Sequence, residues 1–201
     1  MWFLRHFSKN PSTVLDLGCG DGSLMNAFYK KGWKITGIDI YEKSLVKARK
    51  TGVYKKLIKG DLVSVCRKLV EKQTKFDLVF CSQAIEHLSK KEGLEILNLA
   101  DKLGRKRVYF GTPRGYMNQP EEFLEGNPYQ KHKSGWTVDD FKIRGYKVYG
   151  VGLRPIWSER GMARGKKGIS LFLLTTLSFL LSPITILVPS LGSGIMAIKV
   201  K

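Results

Sequence analysis

The chain has few cysteines and histidines, and neither type forms a recognisable cluster. Its three cysteines, Cys19, Cys66 and Cys81, show no paired spacing and fall in or beside apolar segments. The pattern therefore favours reduced thiols in the cytosol over disulfides. The cysteines and the three histidines lack the spacing of metal ligands, so the sequence predicts no metal site. The N-terminus also lacks the basic, apolar and small-residue succession of a signal peptide.

Acidic residues are scarce as well. The sequence contains 17 Asp and Glu against 35 Lys and Arg, which gives a formal net charge of +18. Such an excess favours a polyanionic neighbour, either an anionic membrane surface or a nucleic acid. Scattered lysines that merely keep the domain soluble would give the same count. Charge alone therefore leaves these alternatives open.

The most informative stretch that is present is residues 13–22, where an apolar strand pattern runs into a glycine-rich turn. Gly18, Gly20 and Gly22 stand at every second position, and an apolar helical pattern begins at Leu24. Glycine lets backbone N–H groups approach a ligand closely, and the N-terminus of a helix is electropositive. The spacing differs from the dinucleotide-binding Gly-x-Gly-x-x-Gly, and the carboxylate of Asp16 suits a ligand with an amino group better than a phosphate. A tight strand-to-helix connection without a ligand would also look like this.

Strand and helix patterns alternate along the rest of the chain. After the strand that precedes the glycine turn, the predicted strands are residues 34–38, 55–59, 76–80, 107–111, 146–153 and 194–200. The predicted helices are residues 24–31, 42–50, 63–71, 90–103 and 137–144. Strict alternation is typical of a parallel, doubly wound α/β sheet. We expect one domain over residues 1–201, with an N-terminal extension (1–12), a core (13–153), a basic and hydrophobic insertion (154–192) and a terminal strand (193–201).

Four motifs follow the first four predicted strands at the spacing of one family. Asp16 opens an Asp-x-Gly-x-Gly-x-Gly run, Asp39 ends the second strand, Gly60-Asp61 follows the third, and Glu86-His87-Leu88 follows the fourth. This series resembles the class I S-adenosylmethionine-dependent methyltransferases, in particular the small-molecule type related to quinone-biosynthesis methyltransferases. The resemblance covers about residues 13–153. It implies a Rossmann-like sheet of seven strands, with the last strand antiparallel between the fifth and the sixth.

The resemblance also implies S-adenosylmethionine as cofactor and a set of residues that bind it. That set is Asp16, Gly18, Gly20, Gly22, Asp39, Ile40, Asp61, Leu62 and Ser82. The methionine end is expected near Asp16, Gly18 and Ser82, the ribose hydroxyls on Asp39, and the adenine amino group at Asp61. The apolar members of the set, expected on either side of the adenine, are also compatible with ordinary packing.

Two histidines are candidates for catalysis. If the acceptor of the methyl group is a hydroxyl or a phenol, a general base assists the transfer. His87 follows the fourth strand on the ligand-binding side, although a histidine there also fits a backbone-bonded helix start. His132 lies in a stretch that borders the acceptor pocket in related enzymes. His132 also lies within a long connection, residues 112–136, and a connection of this length usually carries function.

No charged residue occurs between Lys167 and Lys199. Residues 169–182 are apolar around nearly the whole of a helix, Pro183 and Pro189 then interrupt it, and basic residues precede it. A 14-residue leg is too short to span a bilayer, and the chain must return to the same sheet. We expect a hairpin that enters one leaflet on the cytoplasmic membrane face, with residues 154–167 on anionic headgroups. The alternatives are a buried cap or a dimer interface. Residues 1–10 likewise fit either an amphipathic turn packed on the sheet or an aromatic-basic membrane patch.

Two other functions compete with methyl transfer to a small or lipid-like acceptor. A nucleic-acid methyltransferase would suit the charge. However, adenine-amino enzymes usually carry an Asn/Asp-Pro-Pro-aromatic motif after strand four to grip a flipped base, and residues 81–84 read Cys-Ser-Gln-Ala. Cytosine-5 enzymes use a Pro-Cys nucleophile, and Cys81 lacks the proline. A non-catalytic, cofactor-binding protein at a membrane is the other alternative, and the intact glycine motif disfavours it.

Overall fold

The structure is a computed structural model that describes residues 12–119, 121–124, 126–158 and 160–201, without the side chains of residues 122 and 123. Residues 1–10, for which the sequence left packing and membrane interpretations open, lie outside the described residues. A seven-stranded sheet organises the rest of the chain. Its strands are β1 (Thr13–Leu17), β2 (Lys34–Asp39), β3 (Tyr54–Lys59), β4 (Phe76–Ser82), β5 (Gly104–Pro113), β6 (Lys147–Leu153) and β7 (Gly192–Val200).

The strands lie in the order β3-β2-β1-β4-β5-β7-β6. Strands β1 to β5 pair in parallel, and β7 runs antiparallel to both of its neighbours, β5 and β6. The strand order runs in opposite directions on the two sides of the pair β1 and β4, which makes this pair the topological switch point. In open α/β sheets, ligands bind outside the carboxyl ends of the strands at such a switch point. The predicted doubly wound sheet, with its last strand inserted antiparallel, is confirmed.

Helices connect the strands. They are α1 (Ser23–Phe28), α2 (Glu42–Lys50), α3 (Leu62–Glu71), α4 (Lys90–Leu103), α5 (Val138–Lys142), α6 (Arg154–Trp157), α7 (Gly168–Leu180) and α8 (Ser182–Leu187). The start of α4 is the capping box that the sequence predicts: Ser89 accepts from the backbone of Glu92, whose carboxylate accepts in turn from Ser89. Thr137 and Asp140 form a second capping box at α5. Because these ends are held locally, they are readable from sequence.

Two elements differ from the prediction by three residues at one end, and the other predicted elements by at most two. Helix α1 ends at Phe28, three residues early, because Tyr29 adopts an extended backbone. Strand β5 begins at Gly104, immediately after α4, and not at residue 107. Gly104 is extended and not left-handed, and a Cβ there would lie 2.6 Å from a Val108 methyl carbon. Glycine therefore permits an abrupt turn from helix into strand at this point.

Apolar side chains cover both faces of the sheet. The larger cluster includes Leu15, Leu17 and Val79 and continues into α3 and α4. The smaller one includes Val14 and Phe80. Since successive strand residues point to opposite faces, neighbours such as Val14 and Leu15 belong to different clusters. With both faces covered, the carboxyl-end edge of the sheet is the part left for ligands.

Candidate active site

The glycine turn joins β1 to α1 at the carboxyl edge of the sheet. Gly18, Gly20 and Gly22 all have positive φ, between 54° and 80°, which side chains other than glycine rarely adopt. A Cβ on Gly18 would lie 2.4 Å from the Cβ of Ala84, so the turn and the segment after β4 meet in close contact. The amides of Gly18 and Cys19 both donate to the carbonyl of Ile38. These bonds fix the turn against the end of β2.

A cavity of about 250 Å³ opens beside this turn. Its lining comes from the ends of β1, β2, β3 and β4 and from the loop before α5. The residues that line it are Gly18, Gly20, Asp39, Ile40, Asp61, Leu62, Gln83, Ala84, His87, Leu88, Glu92, Asn127, Tyr129, Gln130 and Lys133. We call it the turn cavity. It brings together seven residues that the sequence proposed for the site: Gly18, Gly20, Asp39, Ile40, Asp61, Leu62 and His87.

The carboxylate of Asp39 is held in a defined orientation at the turn cavity. Its Oδ2 accepts from the Gly20 amide at 2.8 Å, and its Oδ1 accepts from the Tyr41 amide at 2.8 Å. Each carboxylate oxygen has two lone-pair directions, so both oxygens retain capacity for a further donor. Two adjacent hydroxyls on a ligand would match that capacity. Asp61 is similarly oriented, because its Oδ1 caps α3 by accepting from Ser64.

Asp16 is one of three predicted cofactor-binding residues that do not line the turn cavity. Its side chain is buried and accepts a hydrogen bond of 2.7 Å from the hydroxyl of Tyr54. Burial raises the pKa of Asp16 to about 7; the bond from Tyr54 opposes this rise and the charge of Asp39 adds to it. Asp16 is not among the lining residues of the turn cavity. It lies behind the turn, where it joins β1 to β3.

A second cavity adjoins the first. It measures about 590 Å³, and its lining is Gln83, Pro113, Met117, Asn118, Gln119, His132, Ile156, Trp157, Ser158, Ala163 and Arg164. We call it the outer cavity. Gln83 lines both cavities, and it has a positive φ of 54°. A residue other than glycine in that conformation is uncommon and often marks a functional position.

His87 and His132 stand at the junction of the two cavities. Their ring centroids are 5.0 Å apart, with His87 on the turn cavity and His132 on the outer cavity. The Nδ1 atom of His132 lies 2.8 Å from the carbonyl oxygen of Met117. Because a carbonyl only accepts, this nitrogen carries the proton, and the Nε2 of the neutral ring presents a lone pair.

Buried Glu86 completes a cluster with the two partly buried histidines. Its Oε2 accepts from the Thr112 hydroxyl at 2.9 Å, while its Oε1 and the Nδ1 of His87 are buried without a hydrogen-bond partner among the described residues. Burial raises the pKa of Glu86 to about 7. Burial and the neighbouring His132 lower the pKa of His87 to about 4. One ligand-type atom from each of the three residues lies within 4.8 Å of the others.

Hydrogen bonds position this cluster across a long sequence separation. The carbonyl of Glu86 accepts from the amides of Lys133 and Ser134, which ties the end of the 112–136 connection to the short helix Ile85–His87. The indole of Trp136, fully buried, donates to Ser134 at 3.0 Å. Lys90 lies over the Trp136 ring and donates to the Gly135 carbonyl. His132 is therefore carried on an anchored loop.

Three site features were not foreseen from the sequence. Tyr54 covers Asp16, Gln83 borders both cavities, and Glu86 joins the histidines. Spacing gives no signal for Tyr54, which reaches Asp16 across 38 positions. Gln83 stands directly after β4, so its place at the carboxyl edge was the available clue. The sequence-based prediction of no metal site rested on local spacing, and His132 joins the cluster from 45 residues away.

Of the other proposed residues, Gly22 caps α1, and Ser82 hydrogen-bonds the Tyr109 hydroxyl. Neither lines the turn cavity.

The strand order, the antiparallel β7 and the glycine turn define the fold of the class I methyltransferases. Residues 14–105 match the family model described as a methyltransferase domain. Residues 14–105 thus match a methyltransferase domain, the whole sheet has the fold of the class I S-adenosylmethionine-dependent methyltransferases, and the resemblance stated from sequence is confirmed.

Particular relatives support this assignment. The ubiquinone biosynthesis O-methyltransferase of Bordetella parapertussis is 39% identical over 119 residues, which is 58% of this chain and 48% of that protein. A SAM-dependent methyltransferase structure from Archaeoglobus fulgidus aligns with a TM-score of 0.63 at 18% identity, over 100% of this chain and 90% of the other. The magnesium protoporphyrin IX methyltransferase of Synechocystis PCC 6803, solved with bound SAH, gives 0.55 at 15% identity, over 100% and 78%. The chain spans between 30% and 50% of the curated relatives it matches.

The turn cavity fits S-adenosylmethionine. Asp39 offers its two oriented oxygens to a ribose diol, and Ile40 and Leu62 offer apolar surface to an adenine. At Gly20 a Cβ would meet no atom within 4 Å, so the turn is open on that side. Asp16 does not line the cavity, and its expected place near the methionine end of the cofactor stays a prediction.

Proposed function

We propose that the chain transfers a methyl group from S-adenosylmethionine to a hydroxyl of a small-molecule or lipid-like acceptor at a membrane surface. The arrangement of the two cavities carries the proposal. They adjoin, the histidine pair stands at their junction, and the turn cavity fits the cofactor. The relatives named as ubiquinone biosynthesis O-methyltransferases support a small acceptor and an oxygen as the methylated atom.

Binding and orientation are the main tasks of this chain's residues. When bound, S-adenosylmethionine supplies a strongly electrophilic methyl group on a sulfonium. Holding two reactants in line removes much of the entropic part of the barrier, so positioning contributes a large share of the rate. Asp39 and the turn at Gly18 and Gly20 hold the cofactor. Gln83, whose backbone is constrained between the cavities, separates the cofactor from the acceptor.

His132 is the group that removes the acceptor proton. Its Nδ1–H is committed to the Met117 carbonyl, so the Nε2 lone pair is the basic site. In the transfer, the carbon–sulfur bond of the sulfonium would break as the carbon–oxygen bond forms, and the proton of the acceptor oxygen would pass to Nε2. His87 is kept neutral by burial and by its neighbour. It therefore does not repel the positive charge that His132 acquires with the proton. A positioned general base of this kind contributes about 10²–10⁴ in rate.

A second role for the same cluster is carried by its unpaired atoms. Glu86 Oε1 and His87 Nδ1 are buried without partners among the described residues, and such atoms are costly unless something binds them. A carboxylate and two imidazoles suit a divalent transition metal or zinc. Glu86, His87 and His132 would hold it. When bound, a divalent cation would lower the pKa of an acceptor hydroxyl, and the histidines would serve as ligands.

An acceptor at a membrane surface fits the outer cavity and its surroundings. Ile156, Trp157 and Ala163 give that cavity an apolar side, and Arg164 adds a cation. The base-gripping motif of adenine methyltransferases is absent after β4, which favours a small acceptor over a nucleic acid. The exposed helices α7 and α8 directly follow the segment that lines the cavity.

Comparative mass spectrometry tests the proposed function. Small molecules and lipids are extracted from cells with the intact gene and from cells in which it is deleted. We expect at least one compound to lose 14 daltons on deletion, the mass of a methyl group that replaces a hydrogen. Restoring the gene with His132→Asn should leave the unmethylated compound in place, whereas the unaltered gene should remove it. Methylated RNA that disappears while small molecules and lipids are unchanged would contradict the proposal.

A further inference from the structure

Helices α7 and α8 have the reverse of the burial pattern of a water-soluble helix. Most of their apolar side chains are exposed; Phe179 is 75% exposed and Leu187 is 81% exposed. The buried residues of the two helices are polar: Ser178 is 7% exposed and Thr185 is 0% exposed. In water the free-energy gain from burial favours the opposite arrangement. The pattern therefore matches an apolar surrounding medium.

Four hydroxyl groups of this segment donate to backbone carbonyls three or four residues earlier in the chain. Ser170, Thr175 and Thr176 donate to the carbonyls of Lys167, Leu171 and Phe172, and Thr185 donates to the carbonyl of Ser182. Helices in lipid satisfy polar groups internally in this way, because no water is present to do so. In an exposed helix in water, the hydroxyl groups would not need these bonds, because water could accept from them instead.

The geometry fits one leaflet of a bilayer. Helix α7 has 13 residues and is about 20 Å long, shorter than the roughly 30 Å hydrocarbon core. Among the described helices, none is long and apolar enough to cross a membrane. The chain leaves the sheet at β6 and returns in the adjacent β7, so both ends of the hairpin stay on one side.

Charge selects an anionic partner. The segment before α7 carries exposed basic residues, and the sequence has no acidic residue from Arg160 to its end at Lys201. The exposed basic residues are Arg154, Arg160, Arg164, Lys166 and Lys167. Basic residues beside an inserted apolar segment bind anionic headgroups. A second copy of this chain, which is just as basic, would bring like charges together around the same apolar surface.

Helix α7 is bonded to the wall of the outer cavity. Ser178, the buried serine of α7, accepts a hydrogen bond of 2.8 Å from the indole of Trp157 and one of 3.4 Å from the amide of Leu153. Trp157 lines the outer cavity. The position of α7 therefore determines where this wall lies.

We propose that α7 and α8 insert into one leaflet of an anionic membrane, and that the Ser178–Trp157 bond makes the inserted helix a part of the acceptor site. The predicted effect on methyl transfer rests on the proposed function. The predicted membrane binding rests only on the geometry and charge of this segment. Docking thereby organises the outer cavity, while the turn cavity stays independent of it. Methyl transfer to a lipid acceptor then requires the membrane, and cofactor binding does not.

The membrane part is tested by co-sedimentation with vesicles of phosphatidylcholine alone or mixed with phosphatidylglycerol. We expect binding to the anionic vesicles, weakened at least tenfold in the Phe172→Glu/Phe179→Glu variant. Both positions are exposed, so the substitutions leave the core untouched. Ile143→Glu is the matched control. Ile143 is 76% exposed and precedes β6, whereas the hairpin follows β6, so this substitution should leave vesicle binding unchanged. Equal vesicle binding by the double variant and the wild type would overturn the proposal. So would a wild-type protein that is a dimer and binds no vesicles, if the double variant is a monomer.

The coupling part is tested with Ser178→Ala, and Ser193→Ala as control for loss of a serine hydroxyl outside the hairpin. We expect Ser178→Ala to keep vesicle binding and cofactor affinity, and to raise the apparent KM for a methylated lipid fraction severalfold. Its tryptophan emission on vesicles should shift from that of the unaltered protein, and Trp157→Phe should abolish that shift. Unchanged KM and emission would overturn the coupling. Loss of cofactor binding in the unaltered protein would instead refute the proposed function and leave the membrane result standing.

Discussion

The imidazoles of His87 and His132 lie 5.0 Å apart, although 45 residues separate them in the chain, and each ring lines a different cavity. The short helix after β4 carries one ring, and the loop that returns toward α5 carries the other. Bonds from Lys133 and Ser134 to the Glu86 carbonyl bring the two segments together. The chemistry proposed for this protein takes place where they meet.

Asp39→Ala should weaken S-adenosylmethionine binding. The variant loses a charged acceptor for the ribose hydroxyls and the fixed bond to the Gly20 amide. A hydrogen bond to a charged group is worth about 1.5–3 kcal/mol, so the dissociation constant should rise by roughly 10- to 150-fold. Isothermal titration calorimetry measures it. Unchanged affinity, with the fold intact by circular dichroism, would remove Asp39 from the site.

His132→Asn should slow transfer without affecting cofactor binding. The asparagine amide retains a donor for the Met117 carbonyl but has no basic lone pair in place of Nε2. We expect kcat to fall about 10²–10⁴-fold, with the dissociation constant for S-adenosylmethionine unchanged. Single-turnover kinetics separates chemistry from binding. A normal rate in this variant would exclude His132 from proton transfer and from cation binding alike.

Divalent cations should stabilise the protein through the Glu86 cluster. Thermal unfolding is followed with Zn²⁺, Mn²⁺ or Mg²⁺ after dialysis against a chelator, and a cation that binds only the folded state raises the melting temperature. We expect a rise for the unaltered protein that is lost in a His87→Asn/His132→Asn double variant. The absence of any shift, together with transfer that resists the chelator, would leave the general-base role of His132 as the surviving explanation.

Asp77→Asn should destabilise the fold at neutral pH. Asp77 is buried, accepts from the amide and hydroxyl of Ser12, and pairs with Arg105 and Lys106. Its burial alone would raise its pKa, but the hydrogen bonds from Ser12 and Arg105 outweigh burial and hold the pKa well below the usual value. Loss of the charged acceptor should cost about 1.5–3 kcal/mol in the free energy of unfolding.

The same pair of proteins gives a pH test. Because the pKa of Asp77 is lower in the folded state, the stabilisation is present above the unfolded pKa of about 4 and is lost as pH falls below it. The stability difference between wild type and Asp77→Asn should therefore be constant from pH 7 to 5 and shrink below pH 4. Urea unfolding across this range measures it, with the exposed Asp139→Asn as control. A difference that grows at low pH would contradict the assignment.

Gly18→Ala should disturb the turn for two separable reasons. The new Cβ would lie 2.4 Å from the Ala84 Cβ, and the backbone φ of 71° is unfavourable for alanine by about 1–2 kcal/mol. Adding Ala84→Gly removes the clash and leaves the backbone strain. We expect the double variant to recover part of the stability and cofactor affinity that the single variant loses. If the double variant recovers nothing, contact with Ala84 is not what requires glycine here.

Local chemistry made much of this molecule predictable. The glycine turn, the capping box at Ser89 and the regular alternation of strand and helix each depend on residues close in sequence. The alternation predicted a doubly wound sheet, while the antiparallel place of β7 and most of the seven residues around the turn cavity came from the family resemblance that these motifs carry. The exposed apolar hairpin was also visible, because no charge interrupts residues 168–198.

Contacts between distant residues were not predictable in this way. The bond from Tyr54 to Asp16 crosses 38 positions, and it links β3 to β1 through a carboxylate that the resemblance suggested for the methionine end of the cofactor. The junction of Glu86, His87 and His132 depends on how an irregular loop folds back. The hydrogen bond that joins Ser178 to Trp157 depends on the packing of a short helix against a turn. None of these has a periodic signal.

A single methyl-transfer assay tests the central claim most directly. Purified full-length protein is incubated with S-adenosylmethionine labelled in its methyl group and with three separate acceptor pools: water-soluble small molecules, lipids in anionic vesicles, and RNA. We predict that label enters a small-molecule or lipid product and that Asp39→Ala reduces the transfer at low cofactor concentration. Label confined to RNA would contradict the proposed acceptor class. No label in any pool, with no heat of cofactor binding, would contradict the methyltransferase assignment itself.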